Sequence, residues 1–176
     1  MTRYDELRAD FAAYKDAENA FCAQNERLAG LIVGALPGWL GMPESFTSES
    51  EVIRYVSFYR LEDDADDNEG AEVPGLHDAL IHMTDGSFVF GLGLLLERGP
   101  EVLPKQNMVV TIHCRRQGER ATISIGDREV DCRFDGTDCP DVERVHAALF
   151  DLLRDWLKRR PGEDGASRKI GFRLVK

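Results

Sequence analysis

The chain has 176 residues, of which 43% are hydrophobic and 31% charged, a composition that is ordinary for a soluble globular protein. This length suits one domain that buries enough apolar surface to need no disulfide or metal for stability. The formal net charge of −10 argues against non-specific nucleic-acid binding, because a phosphate backbone would be repelled, and it permits a basic partner.

The N-terminal segment, MTRYDELRADF, is polar where a signal peptide would be apolar, and no apolar run approaches the roughly 20 residues of a membrane helix. We therefore expect a cytoplasmic protein with no membrane partner. The cysteines show neither paired zinc spacing nor a secreted disulfide framework, which predicts four buried, reduced thiols: Cys22, Cys114, Cys132 and Cys139. No HxxxH, HExxH or CxxC spacing is present, so neither a metal nor a cofactor is predicted.

A long helix is predicted within residues 1–36, and Pro37-Gly38 is expected to end it. More than 30 residues of helix would span about 45 Å, longer than the sheet it could cover. Either its C-terminal half, LAGLIVGAL, packs on the domain while the N-terminal half is solvated, or the helix pairs antiparallel with a second copy, which we prefer. The apolar seam recurs at alternating spacings of three and four, and Glu18 and Asn25 interrupt it: Leu7, Phe11, Tyr14, Phe21, Leu28, Ile32 and Ala35.

Two further segments predict strands. Ser50 to Leu61 is rich in β-branched and aromatic residues. Asp78 to Leu96 reads as a hairpin that turns at Asp85-Gly86, with Met83 opposite Phe88. Its second strand carries two glycines, at positions 91 and 93, on one face, which indicates close approach by a ligand or another chain, or a strongly twisted strand.

A three-stranded antiparallel meander is predicted from Met108 to Phe134, with two-residue turns at Gln117-Gly118 and Gly126-Asp127. This register pairs Arg116 with Glu119 and gives each face of the sheet one character. The apolar face carries Val110, Ile112, Cys114, Ala121, Ile123, Ile125, Val130 and Cys132. The polar face carries three rows, namely Thr111, Ser124 and Glu129, then His113, Thr122 and Asp131, then Arg115, Arg120 and Arg133.

The remaining pattern predicts a helix over 140–160, with Thr137 or Asp138 as its N-cap, and a final strand over 169–175. Hairpin strands with helices set apart in sequence indicate an α+β fold. We expect a single domain over 1–176, in which the strands of 50–134 form an antiparallel sheet of about six to seven strands. The long N-terminal helix and the C-terminal helix would pack on one face of this sheet.

The polar face of the meander is the best candidate site. Three neighbouring arginines, Arg115, Arg120 and Arg133, repel one another unless something anionic neutralises them. Internal carboxylates can do so, or the arginines can bind a carboxylate or phosphate from outside. His113 and Asp131 lie beside them and could serve general acid-base chemistry.

An acidic run, EDDADDNEGAE from Glu62 to Glu72, has seven carboxylates in eleven residues. It fails as an EF-hand calcium loop, because a glutamate stands where the loop needs glycine and a glycine where it needs glutamate. We interpret the run as a solvated loop or as a recognition segment for a basic partner. Its candidate contact residues are Asp63, Asp64, Asp66, Asp67 and Glu69.

The sequence contains no P-loop, GxGxxG or GxSxG motif, and no catalytic function is favoured. The preferred hypothesis is a non-catalytic, acidic protein-binding or adaptor protein, similar in size and charge to inhibitors, immunity proteins and chaperones, and homodimeric through its long helix. The alternative is a small-molecule anion-binding protein, or an enzyme, that uses the arginine, histidine and aspartate patch on the open sheet face.

Overall fold

An antiparallel sheet with two long helices on one face is the architecture of the chain in a computed structural model, which describes residues 2–48, 51–61, 70–99, 102, 105–159 and 170–175. The predicted α+β class is confirmed. In chain order the elements are α1 (Arg3–Gly34), α2 (Leu36–Leu40), β1 (Ser45–Ser48), β2 (Glu51–Arg54), β3 (Val56–Leu61), β4 (Gly70–Val73), α3 (Leu76–Ala79), β5 (Ile81–His82), β6 (Phe88–Leu96), β7 (Lys105–Gln117), β8 (Arg120–Ile125), β9 (Arg128–Arg133), α4 (Val142–Lys158) and β10 (Ile170–Val175).

The main sheet has eight strands, and its central path runs β4-β3-β6-β7-β8-β9. The long strands β6 and β7 pair along their whole overlap. On the far side of β6, β3 and β5 lie end to end, and on the far side of β7, β8 and β10 do the same. The hairpin of β1 and β2 forms a separate two-stranded sheet. Within the described part of the chain, no helix is long and apolar enough to cross a membrane.

The core lies between one face of the sheet and the two long helices. Because side chains alternate along a strand, every second residue of β6 and β7 points into this core, from Phe88 to Leu94 and from Met108 to Cys114. Leu28 and Ile32 of α1, with Val145 and Leu149 of α4, cover that face. The opposite face of the sheet carries the polar residues of the meander.

The second turn of the predicted meander is confirmed, since Ile125 pairs with Arg128. The first turn is wrong: it lies at Gly118-Glu119, and Gln117 pairs with Arg120. Gly118 has φ of 63°, which the first turn position of a type I′ hairpin requires. The error moves the pairing by two residues, so the two faces keep their predicted character while the cross-strand partners change.

The predicted pair of Arg116 and Glu119 does not form. Arg116 instead crosses to the long helix, where its Nε donates to Asn25 Oδ1 at 2.6 Å and its guanidinium lies 4.3 Å from the centre of the Phe21 ring. Asn25 is buried. The polar residue in the helical seam is therefore explained by a partner within the chain.

The predicted hairpin over 78–96 is wrong in register. Ile81 pairs with Val89, one residue away from the expected alignment, and the preceding residues form α3 instead of a strand. The Asp85 carboxylate accepts hydrogen bonds from the amide and the hydroxyl of Ser87, which stabilises a longer loop than the predicted two-residue turn. A one-residue shift moves each side chain to the other face.

Three predicted boundaries also differ. Helix α1 ends at Gly34, and Pro37 lies in the first turn of α2, where a missing amide hydrogen costs little. Helix α4 starts at Val142 with Asp141 as N-cap. The amides of Thr137 and Asp138 bind the Asp135 carboxylate, so neither residue caps the helix. The strand predicted over 50–61 is divided, because β2 leaves the main sheet to pair with β1.

Candidate functional site

A polar groove of about 460 Å³ lies on the open face of β7, β8 and β9. We call it the arginine groove. The observed register arranges its side chains in rows across the three strands. His113, Ser124 and Glu129 form one row, and the next outward-facing residues of the same strands form the row beside it. The lining residues are His113, Arg115, Gln117, Arg120, Thr122, Ser124, Glu129 and Asp131.

The three candidate arginines were predicted to share one row of the sheet, and this prediction is wrong. Arg120 lies between Gln117 and Arg133, whereas Arg115 lies one row further in, opposite Thr122. Arg133 is neutralised inside the protein, because its Nε is 3.3 Å from Asp141 Oδ2. Hydrogen bonds from the amide and side chain of Arg133 hold the pKa of the Asp141 carboxyl below its usual range.

Arg115 and Arg120 are exposed, and neither forms a hydrogen bond or ion pair with any described residue. They occupy diagonal positions on adjacent strands, a separation of about 7–8 Å that two long side chains can bridge. Two guanidinium groups at this spacing can converge on one carboxylate or phosphate. One end of the arginine groove therefore carries two guanidinium groups that have no ion-pair partner among the described residues.

The suggested acid-base pair of His113 and Asp131 is not brought together. Asp131 accepts a hydrogen bond from Thr122 Oγ1 at 2.7 Å, and His113 lies in the adjacent row. His113 Nε2 is 3.2 Å from Ser87 Oγ, and Ser87 Oγ donates to Asp85 Oδ1 at 2.6 Å. Since Ser87 has given its only hydrogen to Asp85, Nε2 of the imidazole must be the donor to Ser87.

This chain of Asp85, Ser87 and His113 orients the imidazole and does not activate a nucleophile. Ser87 is buried, and its hydroxyl is bonded to the carboxylate instead of to the imidazole that would have to remove its proton. The pKa of Asp85 is lowered mainly by its hydrogen bonds to Ser87, with smaller contributions from the charges of Arg115 and His113.

The edge of the sheet beside the groove is closed by residues around the start of α4. Arg144 Nη1 donates to the backbone carbonyl of Asp131 at 2.9 Å, and the amide of Arg133 donates to Asp141 Oδ2 at 3.0 Å. These outward groups of β9 would otherwise be free to pair with another strand. These two backbone groups of β9 are therefore occupied by partners within the chain.

A second surface is the N-terminal half of α1. The C-terminal half packs on the core through Leu28, Ala29 and Ile32, as one interpretation of the sequence had it. The same heptad seam continues outward, where four large apolar side chains are 61–70% exposed: Tyr4, Leu7, Phe11 and Tyr14. Their spacing is that of the buried seam, yet no described part of the chain covers them.

Sequence reasoning missed a buried polar cluster at the other end of β7. Lys105 is buried and pairs with Glu97, and Tyr55 Oη donates to Glu97 Oε2 at 2.7 Å. The ring of Tyr59 fills the space at Gly93, and Tyr59 Cβ with Leu61 fills the space at Gly91, so the two glycines accommodate the chain itself. The missed signal was a period of two in Tyr55, Ser57 and Tyr59, repeated in Lys105 and Asn107.

The cysteines are free thiols, and three of them are buried. Cys22 is half-buried, which corrects the prediction for that residue. Burial raises the pKa of Cys132 to about 12 and that of Cys114 well above its usual value, so neither is a ready nucleophile. Among the described residues no group of three or more His, Cys, Asp or Glu side chains is placed to hold a metal ion.

The acidic candidates Asp63, Asp64, Asp66, Asp67 and Glu69 lie outside the described residues. What is described is an α+β protein with a mixed-charge groove on its sheet and an uncovered apolar stripe on its long helix. No protein-family model matches the chain, and neither a curated protein nor a solved structure matches it significantly.

Proposed function

We propose that this chain is a non-catalytic protein-binding protein, an adaptor in the broad sense, that works as a homodimer joined through α1. The observation that carries the proposal is the exposed apolar stripe of Tyr4, Leu7, Phe11 and Tyr14. Isolated helices are marginal in water, and a tertiary partner on the apolar face provides most of their stability. The projecting half of α1 has such a face and, within the described chain, no such partner.

A second copy is the occupant that best fits this stripe. The outer stripe continues a heptad seam that already packs inside the chain through Leu28 and Ile32. In an antiparallel pair of α1 helices centred between Phe11 and Tyr14, Phe11 of each copy would face Tyr14 of the other copy. Residues 2–21 carry three basic and five acidic side chains, so a copy meets both signs of charge and no strong repulsion.

Two substitutions of equal charge test the pairing. Phe11→Asp places a carboxylate in the seam, whereas Ala9→Asp places one on the opposite side of the same helix. We expect the mass from light scattering to be that of a dimer for the wild type and for Ala9→Asp, and that of a monomer for Phe11→Asp. Circular dichroism would verify that both variants are folded.

A wild-type protein that stays monomeric at about 100 μM would reject the dimer, because a dissociation constant above this value gives too little pairing to stabilise the helix. A dimeric Phe11→Asp protein would place the interface elsewhere. In the adaptor that we propose, the acidic segment from Asp63 to Glu69 and the open sheet face are the candidate contacts for a further, basic protein partner.

The alternative function is binding of a small anion in the arginine groove, favoured by one observation: Arg115 and Arg120 line the groove, and neither forms an ion pair with a described residue. An anion between them would relieve their mutual repulsion. The ligand class is a carboxylate or a phosphate ester, which guanidinium groups bind through charge-assisted hydrogen bonds.

Thermal unfolding with a panel of phosphates, nucleotides and carboxylates tests this alternative. A true ligand at 100 times its dissociation constant adds about 2.7 kcal/mol to the free energy of unfolding. We expect Arg120→Gln to abolish the stabilisation and Arg154→Gln, on α4 at the other face of the sheet, to leave it unchanged. A panel without any shift, or a shift that survives Arg120→Gln, would remove the groove as an anion site.

A further inference from the structure

A hydrogen-bonded chain leads from Asp85 through Ser87 to His113, which lines the arginine groove on the same strand as Arg115. Because Ser87 Oγ gives its hydrogen to Asp85, the imidazole Nε2 keeps a hydrogen and donates it to Ser87. The other ring nitrogen, Nδ1, forms no hydrogen bond with any described residue. Nδ1 is therefore the atom that gains or loses a proton when this imidazole titrates.

Three carboxylates face this imidazole and favour its protonated form. Asp85 is the nearest, since only Ser87 separates it from the ring. Glu129 lies in the same row as His113, and Asp131 lies in the row beside it. Both are on β9, two strands and about 10 Å away, so their effect is weaker than that of Asp85.

Arg115 has the opposite effect on the imidazole. Residues two positions apart on a strand lie about 7 Å apart and point to the same face, so the guanidinium opposes a second positive charge on His113. On the other side of His113, β6 presents Val89, which carries no charge. An anion bound to Arg115 would remove this opposition and place a negative charge beside the ring.

We propose that His113 is the third cationic ligand in the arginine groove and that the anion is a compact dianion of the phosphate monoester class. The protonated Nδ1 donates to the anion beside Arg115, and Arg120 approaches it from the diagonal position on β8. Three positive charges at one end of the groove match a dianion better than a monoanion. Glu129 and Asp131 repel the anion and confine it to the β7 side of the groove. The proposal rests on the alternative function, anion binding in this groove.

Anion binding and protonation of His113 are linked in such a site. Because the anion stabilises the protonated imidazole, protonation must strengthen anion binding by the same factor. Histidine side chains titrate mostly between about pH 5 and 8. The affinity for the anion should therefore increase as the pH falls through this range and decrease as the pH rises.

Titration calorimetry of the full chain with sulfate, at constant ionic strength, tests the linkage. Sulfate remains a dianion throughout this range, whereas a phosphate ester would itself titrate. We expect a dissociation constant about tenfold lower at about pH 6 than at about pH 8.5, the effect of one charge-assisted hydrogen bond. Buffers of different ionisation enthalpy should reveal proton uptake on binding. Methyl sulfate, a monoanion, should bind about tenfold or more weakly than sulfate at about pH 6.

Two histidine variants assign the proton. His113→Gln keeps an amide that can donate to Ser87, but it has no charge to gain. At both pH values it should bind sulfate as the wild type does at the higher pH, without proton uptake. His77→Gln is the matched control, because His77 is exposed on α3 and outside the groove, and this variant should keep the wild-type pH dependence.

A wild-type affinity for sulfate that is equal at the two pH values would overturn the role of His113 and leave the anion site in place. A His113→Gln protein that keeps the pH dependence would do the same. Equal binding of methyl sulfate and sulfate at the lower pH would overturn the preference for a dianion. If sulfate at about 10 mM does not bind at either pH, the anion site itself is rejected, and the role of His113 with it.

Discussion

Gly93 is a position where a single added methyl group would meet three side chains, two of them buried. A Cβ there would lie 2.6 Å from Tyr59 Cε2 and 2.9 Å from Asn107 Oδ1, and it would also clash with Ser57. These atoms belong to one hydrogen-bonded cluster, so they cannot move independently. The glycine is thus required by the packing of Tyr59 and not by its own backbone angles.

We predict that Gly93→Ala lowers the free energy of unfolding by about 1–3 kcal/mol, the usual cost of overpacking a core. Gly30→Ala, in the C-terminal part of α1 with no atom within 4 Å of the added methyl, should raise it by up to about 1 kcal/mol, because alanine favours the helix. Urea denaturation of the two variants gives both values. Equal effects of the two substitutions would contradict the packing argument.

Lys105 is a buried cation whose surroundings satisfy it. Its ammonium pairs with Glu97, lies 3.4 Å from Tyr55 Oη, and is 4.4 Å from the centre of the Phe46 ring. A buried ion pair adds little stability relative to apolar residues of similar volume, but removal of one member leaves the other without its counter-charge.

A double-mutant cycle tests whether Lys105 and Glu97 are energetically coupled. Lys105→Met should lower the free energy of unfolding by about 3 kcal/mol, because the Glu97 carboxylate loses its cation in a mostly buried position. Lys105→Met combined with Glu97→Leu should recover most of this loss. If the double variant is as unstable as the sum of the single variants, the pair is not coupled.

At the scale of the element, α1 has two halves of different character along one seam. In the inner, C-terminal half every seam residue contacts another part of the chain. This includes the polar Asn25, which accepts a hydrogen bond from Arg116. The outer half contains Glu18, whose partner is Lys15 on the same exposed helix surface. Exposed pairs of this kind contribute at most about 1 kcal/mol.

Replacement of Glu18 by leucine is therefore predicted to strengthen the proposed dimer. In the antiparallel register Glu18 faces Leu7 of the partner subunit, and a leucine there buries additional apolar area worth about 1.5–3 kcal/mol for a complete burial. The dimer dissociation constant, measured by sedimentation over a dilution series, should fall about tenfold or more. An unchanged or weaker dimer would show that Glu18 is outside the interface.

For the whole molecule, titratable groups predict a stability plateau between acid and alkaline limits. The pKa values of Asp85, Asp135 and Asp141 are lowered in the folded state, each mainly by hydrogen bonds from backbone or side-chain donors. Their contribution is complete above the unfolded value of 3.8 and is lost as the pH falls through the lower folded values. The melting temperature should consequently decrease below about pH 4.

The alkaline limit has the opposite sign. Burial raises the pKa of Cys132 to about 12 from 9.0, and that of Cys114 is raised for the same reason. The folded state holds these protons more tightly, so stability is complete below pH 9 and decreases as the pH rises through the folded values. Melting temperatures from pH 8 to about 11 should decrease less steeply for Cys132→Ala than for the wild type. Parallel curves would remove Cys132 as a source of the decrease.

Alternation and heptad spacing were sufficient to predict the α+β class, the two long helices and the two faces of the meander. They work because a side chain's direction follows from its position in a strand or helix, and burial selects one direction. Ile112, Ile123 and Val130 lie on the core face in both the predicted and the observed register. The second turn was also predictable, since only Gly126-Asp127 separates the two patterns.

A shift of two residues leaves the face of each side chain unchanged but changes its neighbours on the adjacent strand. The tertiary structure decided these neighbours. Arg115 and Arg120 remain on the open face in either register, but the observed pairing moves Arg115 one row away from Arg120 and Arg133, and Asp141 neutralises Arg133. Tyr59 lies over Gly93, and Asn107 lies beside it, through contacts between strands that are distant in sequence. The local sequence pattern determines which face of the sheet a side chain lies on. Its neighbours depend on how distant segments pack together, and the order of these segments along the sheet is not encoded in the local sequence.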